Sequence, residues 1–228
     1  MTESENAQLF DDWPDRYEKW FTTPIGSLVK RVEWELILDF LRPEPGDFLL
    51  DAGCGTGVFT MDMLSCGARV VGLDLSLSMI RRAREKARNS RLQILSADLL
   101  SLPFPENTFS KAVSITALEF IPDARKAVQE LFRVTRKGGT VVVATLNSLS
   151  PWAERRREEG QKGHSLFSKA FFRSPEDLRS LGDAEGTIRT AVHFGRGEDP
   201  ERAAQVEEEG QRKGLNTGAF LGARWFKP

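Results

Sequence analysis

Apolar residues along the chain fall into short blocks that alternate between two periods. Phe48-Leu49-Leu50 is a compact run of the kind a parallel strand buried on both faces needs. Val58, Met61 and Leu64 then recur at helical spacing. The alternation repeats, predicting strands over 48–52, 69–74, 92–97, 111–116 and 140–146, with helices over 57–65, 76–89 and 123–135. Lys137-Gly-Gly139 reads as the C-cap turn of the last helix. Upstream, Val29, Val32, Leu36 and Phe40 mark a helix over 28–41, stopped by Pro43 and Pro45. Downstream, Ser174-Pro-Glu-Asp177 is a helix start, and 187–194 and 218–226 read as strands. The charged stretch 200–213 between them is helix or loop. From Asn147 to Phe172 the pattern loosens into a loop rich in aromatics and arginine. Strands alternating with helices imply an α/β fold.

The stretch between the first strand and its helix is Asp51-Ala-Gly-Cys-Gly-Thr-Gly57. Its glycines permit a sharp turn and let a ligand lie against the main chain. The helix that follows offers unpaired N–H groups and a partial positive charge. The dinucleotide fingerprint has a glycine where Val58 stands, and it opens on an apolar residue where Asp51 stands. A carboxylate repels a pyrophosphate and attracts an ammonium or sulfonium. The loop therefore points to a cationic, phosphate-free ligand such as S-adenosyl-L-methionine (SAM). Asp74 ends the next strand, where an acidic residue reaches ribose hydroxyls.

Composition narrows the picture little. A length of 228 residues suits one α/β domain. A formal charge of −1 gives no global field toward nucleic acid or an anionic membrane. The start, Met1-Thr-Glu-Ser-Glu, lacks the apolar core of a signal peptide, and no run reaches the span of a bilayer, so a cytoplasmic protein is expected. Cys54 and Cys66 do not suggest a disulfide or a metal site. Arg81, Arg82, Arg84, Lys86 and Arg88 read as a solvated basic face.

Asp51-Ala-Gly-Cys-Gly-Thr-Gly57, Asp74-Leu-Ser76, Ala97-Asp98 and Leu102-Pro-Phe-Pro105 together resemble the class I SAM-dependent methyltransferases. The small-molecule branch of ubiquinone/menaquinone C-methyltransferases is the nearest in pattern. The resemblance is strong over residues 45–150. It implies a Rossmann-like, seven-stranded, mostly parallel sheet with helices on both faces and the last strand antiparallel. It implies one domain: a helical cap over 1–42, a cofactor-binding core over 43–146, an acceptor-side loop and helix over 147–180, and C-terminal strands over 181–228. Cofactor contacts are implied at Tyr17, Trp20, Asp51, Gly53, Cys54, Gly55, Thr56, Gly57, Asp74, Leu75, Ser76, Met79, Asp98, Leu99 and Thr116. Asp98 is the residue expected to meet the adenine amino group. Tyr17 and Trp20 belong to the aromatic segment 10–21, a lid for the methionine end. Trp152, Phe167 and Phe171 are expected to shape the acceptor side, with Arg155, Arg156 and Arg157 either gripping an acidic acceptor or forming a solvated charge run.

Methyl transfer from a sulfonium is an in-line displacement, in which orientation supplies much of the acceleration. A general base is needed only where the acceptor loses a proton. Glu119, after the strand 111–116, and His164, in the loop 147–172, are the candidates. No Asn/Asp-Pro-Pro-aromatic quartet follows that strand, no Pro-Cys nucleophile is present, and no metal-ligand spacing occurs. The acceptor is therefore expected to be a small molecule and not nucleic acid. The competing readings are a nicotinamide oxidoreductase, disfavoured by Val58 and Asp51, and a non-catalytic protein that binds SAM or S-adenosylhomocysteine.

Overall fold

The computed structural model describes residues 10, 13–87, 92–161 and 165–228. It contains α1 (Pro14–Phe21), α2 (Pro24–Leu41), β1 (Phe48–Ala52), α3 (Val58–Ser65), β2 (Arg69–Asp74), α4 (Leu77–Lys86) and β3 (Leu92–Ser96). There follow β4 (Phe109–Ile115), a 3-10 turn (Leu118–Phe120), α5 (Ala124–Val134), β5 (Thr135–Leu146), α6 (Pro151–Gln161) and α7 (Ser165–Ser168). The chain ends through α8 (Pro175–Arg179), β6 (Thr187–Ala191), α9 (Pro200–Arg212) and β7 (Phe220–Phe226). The strands form one sheet in the order β3-β2-β1-β4-β5-β7-β6. The pairs β3/β2, β2/β1, β1/β4 and β4/β5 are parallel, and β7 runs antiparallel to both β5 and β6. This is the α/β architecture the alternating pattern predicts.

The apolar runs explain why the sheet is covered on both faces. Leu49 faces a layer made by Leu36, Ile37 and Phe40 of α2 with Phe59 and Met63 of α3. Leu50 faces the opposite layer, with Val128 and Leu131 of α5 and Leu178 of α8. Neighbouring strand residues serve opposite cores because side chains alternate across the pleat. Both leucines are wholly buried, worth about 1.5–3 kcal/mol each relative to exposure.

Two local expectations are corrected. The helix of α5 stops at Val134, and Lys137-Gly-Gly139 is not its cap. Thr135 is already extended and pairs with Phe109, while its hydroxyl donates back to the Leu131 carbonyl at 2.7 Å. The glycines instead form an irregularity in the β4/β5 ladder, where Gly138 has φ +71° and a Cβ on Gly139 would lie 2.5 Å from the Ser110 carbonyl oxygen. The region 147–172 is not an open loop, since it contains α6 and α7. The Ser150 hydroxyl accepts from the Ala153 N–H at 3.1 Å, and Pro151 occupies the first turn. Of the two readings left open for 200–213, the structure has the helix, over 200–212 with Asp199 as its N-cap.

Gly53 tests the tightness of the loop after β1. Its φ is +81°, and an added Cβ would stand 2.4 Å from the Ala117 Cβ. Gly138, at φ +71°, has open space around it. Backbone strain at such positions costs about 1–3 kcal/mol, and in a chain of this size each kcal/mol lowers the melting midpoint by about 2–4 °C. Gly53→Ala is expected to lower that midpoint more than Gly138→Ala. Equal shifts in a thermal scan would show that the Ala117 contact is not tight.

Candidate functional site

The carboxyl ends of β1 and β2 are tied together by the main chain. The N–H groups of Gly53 and Cys54 both donate to the Leu73 carbonyl, at 2.8 and 2.9 Å. Asp74 closes the arrangement: its Oδ2 accepts from the Gly55 N–H and its Oδ1 from the Ser76 N–H, each at 2.9 Å. One carboxylate thus joins the glycine loop to the start of α4, where Ser76 is the N-cap. Gly53, Gly55 and Gly57 all have positive φ. A Cβ on Gly55 would meet nothing within 4 Å, so this backbone borders open space. The Cys54 thiol lies against Gly72, and burial pushes its pKa up.

That space is a cavity of about 270 Å³. Of the sequence-predicted contacts, Tyr17, Asp51, Gly53, Cys54, Gly55, Asp74, Leu75, Ser76, Met79, Asp98, Leu99 and Thr116 line it. Trp20, Thr56 and Gly57 do not. Trp20 packs edge-on against Trp152, with ring centroids 6.2 Å apart, under the Arg196 guanidinium. Thr56 is wholly buried beside Glu18 of α1, and Gly57 caps α3. Phe120, Ile121 and Asp123 also line the cavity and were not singled out from the sequence. Their signal was their place just beyond a parallel strand, where open α/β sheets bind ligands. Phe10 and Phe120 meet edge to face at 4.9 Å on the wall.

Among the described residues, four aspartates and no basic side chain border the cavity. Asp51 is 2% exposed and accepts from the Thr60 hydroxyl at 2.5 Å. Burial raises its pKa to about 7, against the lowering effect of Thr60 and with a contribution from the charge of Asp74. Burial raises Asp74 as well. Asp98 Oδ1 accepts the Leu100 N–H at 2.9 Å. Burial likewise raises the phenol of Tyr17, which is hydrogen-bonded to Thr116. Thr116 itself has φ +51°, a strained backbone for a β-branched residue. Such a cavity suits a ligand that brings a positive charge and several N–H or O–H donors, with one edge flat against Gly55.

Glu119 lies in the 3-10 turn beside the cavity and is 1% exposed. Its Oε2 accepts from the Thr145 hydroxyl at 3.1 Å, and burial raises its pKa to about 7, the range a proton acceptor needs. His164 lies outside the described residues. The basic face of α4 is not wholly solvated as expected. Arg82 pairs with Asp15 at 2.6 Å and Glu18 at 3.2 Å, and Lys86 also pairs with Glu18. These ion pairs hold α1, and with it Tyr17, against the edge of the cavity. Among the described residues no group of three His, Cys, Asp or Glu could hold a metal ion, and no helix is long and apolar enough to cross a membrane.

Residues 50–143 match the family described as a methyltransferase domain. A demethylmenaquinone methyltransferase of Renibacterium salmoninarum is 33% identical over 141 residues, covering 61% of this chain and 58% of that protein. A malonyl-(acyl-carrier protein) O-methyltransferase of Serratia marcescens is 37% identical over 121 residues, covering 53% of this chain and 47% of that protein. The chain therefore spans only about half to three fifths of the length of these curated relatives. The solved structure of a SAM-dependent methyltransferase from Thermotoga maritima superimposes with a TM-score of 0.71 at 22% identity, over 98% of this chain and all of that one. The Rossmann-like fold is thereby shared along nearly the whole chain.

The buried carboxyl of Asp51 makes stability depend on pH. Its folded pKa stands above its ordinary value, so between about pH 4 and 7 the folded protein holds a proton that the unfolded chain has released. Its contribution to stability therefore falls as pH rises through that window. Asp51→Asn removes this effect and leaves an acceptor for Thr60. In urea titrations of the ligand-free protein, the stability of the variant relative to wild type should increase from pH 5 to pH 8. A difference independent of pH would show that Asp51 is not desolvated.

Proposed function

We propose that this chain, whose residues 50–143 carry a methyltransferase domain, transfers a methyl group from SAM to a small organic acceptor. The observation that carries this reading is the acidic cavity beside the open backbone of Gly55. SAM supplies a methyl group on a sulfonium, already activated for attack by a nucleophile. Asp51 would hold the ammonium of its amino-acid part, and Asp74 its ribose hydroxyls through the lone pairs left by Gly55 and Ser76. Asp98 would accept from the adenine amino group, with Met79 and Leu99 on the ring faces. Tyr17, Phe10 and Phe120 would exclude water from the reacting centre. Glu119 would take a proton where the acceptor has one to lose.

In this reading, residues 1–42 cap the cofactor, 43–146 bind it, 147–180 form the acceptor side and 181–228 complete the sheet. Relatives of similar identity carry names with different acceptors, demethylmenaquinone in one and malonyl-(acyl-carrier protein) in the other. They support a small organic acceptor and leave its identity to the residues of this chain. Free cysteines at 54 and 66 suit the reducing cytoplasm, where we place the reaction.

Incubation with methyl-labelled SAM and a metabolite extract should yield a labelled small molecule. Binding of S-adenosylhomocysteine without any transfer of label would mark the chain as a non-catalytic binder. Calorimetry addresses the cofactor separately. Loss of a hydrogen bond to a charged group costs about 1.5–3 kcal/mol, so Asp74→Ala should weaken S-adenosylhomocysteine binding by about ten-fold or more. Unchanged affinity in a folded Asp74→Ala protein would mean that the ribose is held elsewhere.

A further inference from the structure

The three consecutive arginines of α6 have separate fates. Arg155 is exposed and pairs with Glu159 at 2.9 Å. Arg157 is exposed and stacks over Phe172, 5.2 Å from its centroid. Arg156 turns inward. Its guanidinium lies 5.2 Å from the ring centroids of both Trp152 and Phe167, and its Nη1 is sealed from solvent with no hydrogen-bond partner among the described residues. It senses the charges of Glu119 and Glu33, the latter on α2. Yet it makes no ion pair within 4.0 Å among the described residues, so neither carboxylate is in direct contact with the guanidinium. Glu33 and Glu119 act electrostatically on Tyr17, as does Asp51. Tyr17 itself lines the cofactor cavity, so this cluster is within electrostatic reach of the cavity wall.

An unmade hydrogen bond at a desolvated guanidinium costs free energy, and a ligand oxygen would satisfy it. The charge balance favours an anion. Arg156 and Arg196, the latter over Trp20, and Arg173, whose Nη1 and Nη2 hold the Leu118 and Ile121 carbonyls, outnumber the two carboxylates. Glu159, the other acid acting on Arg156, is already paired with Arg155. Resting on the reading of the chain as a methyltransferase, we propose that Arg156 anchors a carboxylate carried by the methyl acceptor at its unsatisfied Nη1, beside the rings of Trp152 and Phe167. The rings of Trp152 and Phe167 fix the plane of the guanidinium for two-oxygen recognition. The acceptor class is then a small organic acid whose methylated atom lies apart from the anchored carboxylate.

The test uses benzoate and its neutral isostere benzamide as probes, titrated by calorimetry into the protein saturated with S-adenosylhomocysteine. Benzoate should bind about ten-fold or more tightly than benzamide, as a charged hydrogen-bond pair requires. The preference should vanish in Arg156→Met, shrink in Arg156→Lys and persist in Arg155→Gln and Arg157→Gln. Equal binding of the two probes, or a benzoate preference that survives Arg156→Met, overturns the proposal. S-adenosylhomocysteine affinity, read in the same variants, should stay unchanged because Arg156 does not line the cofactor cavity. Loss of that affinity in wild type would strike the methyltransferase reading; loss of the benzoate preference alone strikes only the anchor.

Discussion

The site depends on two carboxylates held out of water at the carboxyl ends of adjacent strands. Asp51 and Asp74 sit where β1 and β2 run parallel, with Asp51 opposite Gly72 in the ladder. Burial raises the cost of ionising both, and the charge of Asp74 raises that of Asp51 further. The fold tolerates this because Asp74 is satisfied by two backbone N–H groups and Asp51 by Thr60. What remains unsatisfied is charge, and among the described residues no basic side chain on the cavity wall supplies it. A cationic ligand would lower the pKa of Asp51 and gain binding free energy by doing so. The same desolvation that weakens the empty protein is thus the source of affinity.

That arrangement requires a cover, and the cover is attached electrostatically. The pairs from Arg82 and Lys86 to Asp15 and Glu18 join α1 to α4, whose N-cap is itself fixed through Asp74. The glycine loop, the start of α4 and the aromatic wall from α1 form one connected unit. Exposed ion pairs contribute little individually, about 0–1 kcal/mol. Several shared by one short helix fix its position without making it rigid.

Much of this was legible in the sequence because it follows from local rules. The strands around Leu50 and Val71, the glycine loop and Ser76 as an N-cap all depend on residues close in the chain. The resemblance to a known family carried the seven-stranded sheet and the antiparallel β7, which periodicity alone does not specify. Misreadings arose where tertiary contacts decide. The turn at Lys137-Gly-Gly139 looked like a helix cap, but pairing of Thr135 with Phe109 draws it into a strand. Helix α6 has too few apolar residues to show a stripe, and only the Ser150-Pro151 start marked it. Which of three neighbouring arginines turns inward depends on the rings of Trp152 and Phe167. Trp20, three residues after the cavity-lining Tyr17, packs instead against Trp152.

The central claim is that Asp51 is a buried carboxyl whose charge awaits a cationic partner. Carbon-detected NMR of the aspartate carboxyls, with Asp51→Asn to assign the signal, reads it directly. The account predicts that Asp51 titrates near 7 in the ligand-free protein and falls into the ordinary carboxylate range when S-adenosylhomocysteine is bound. Titration in the ordinary range without ligand, or a pKa that ligand leaves unmoved, would contradict it.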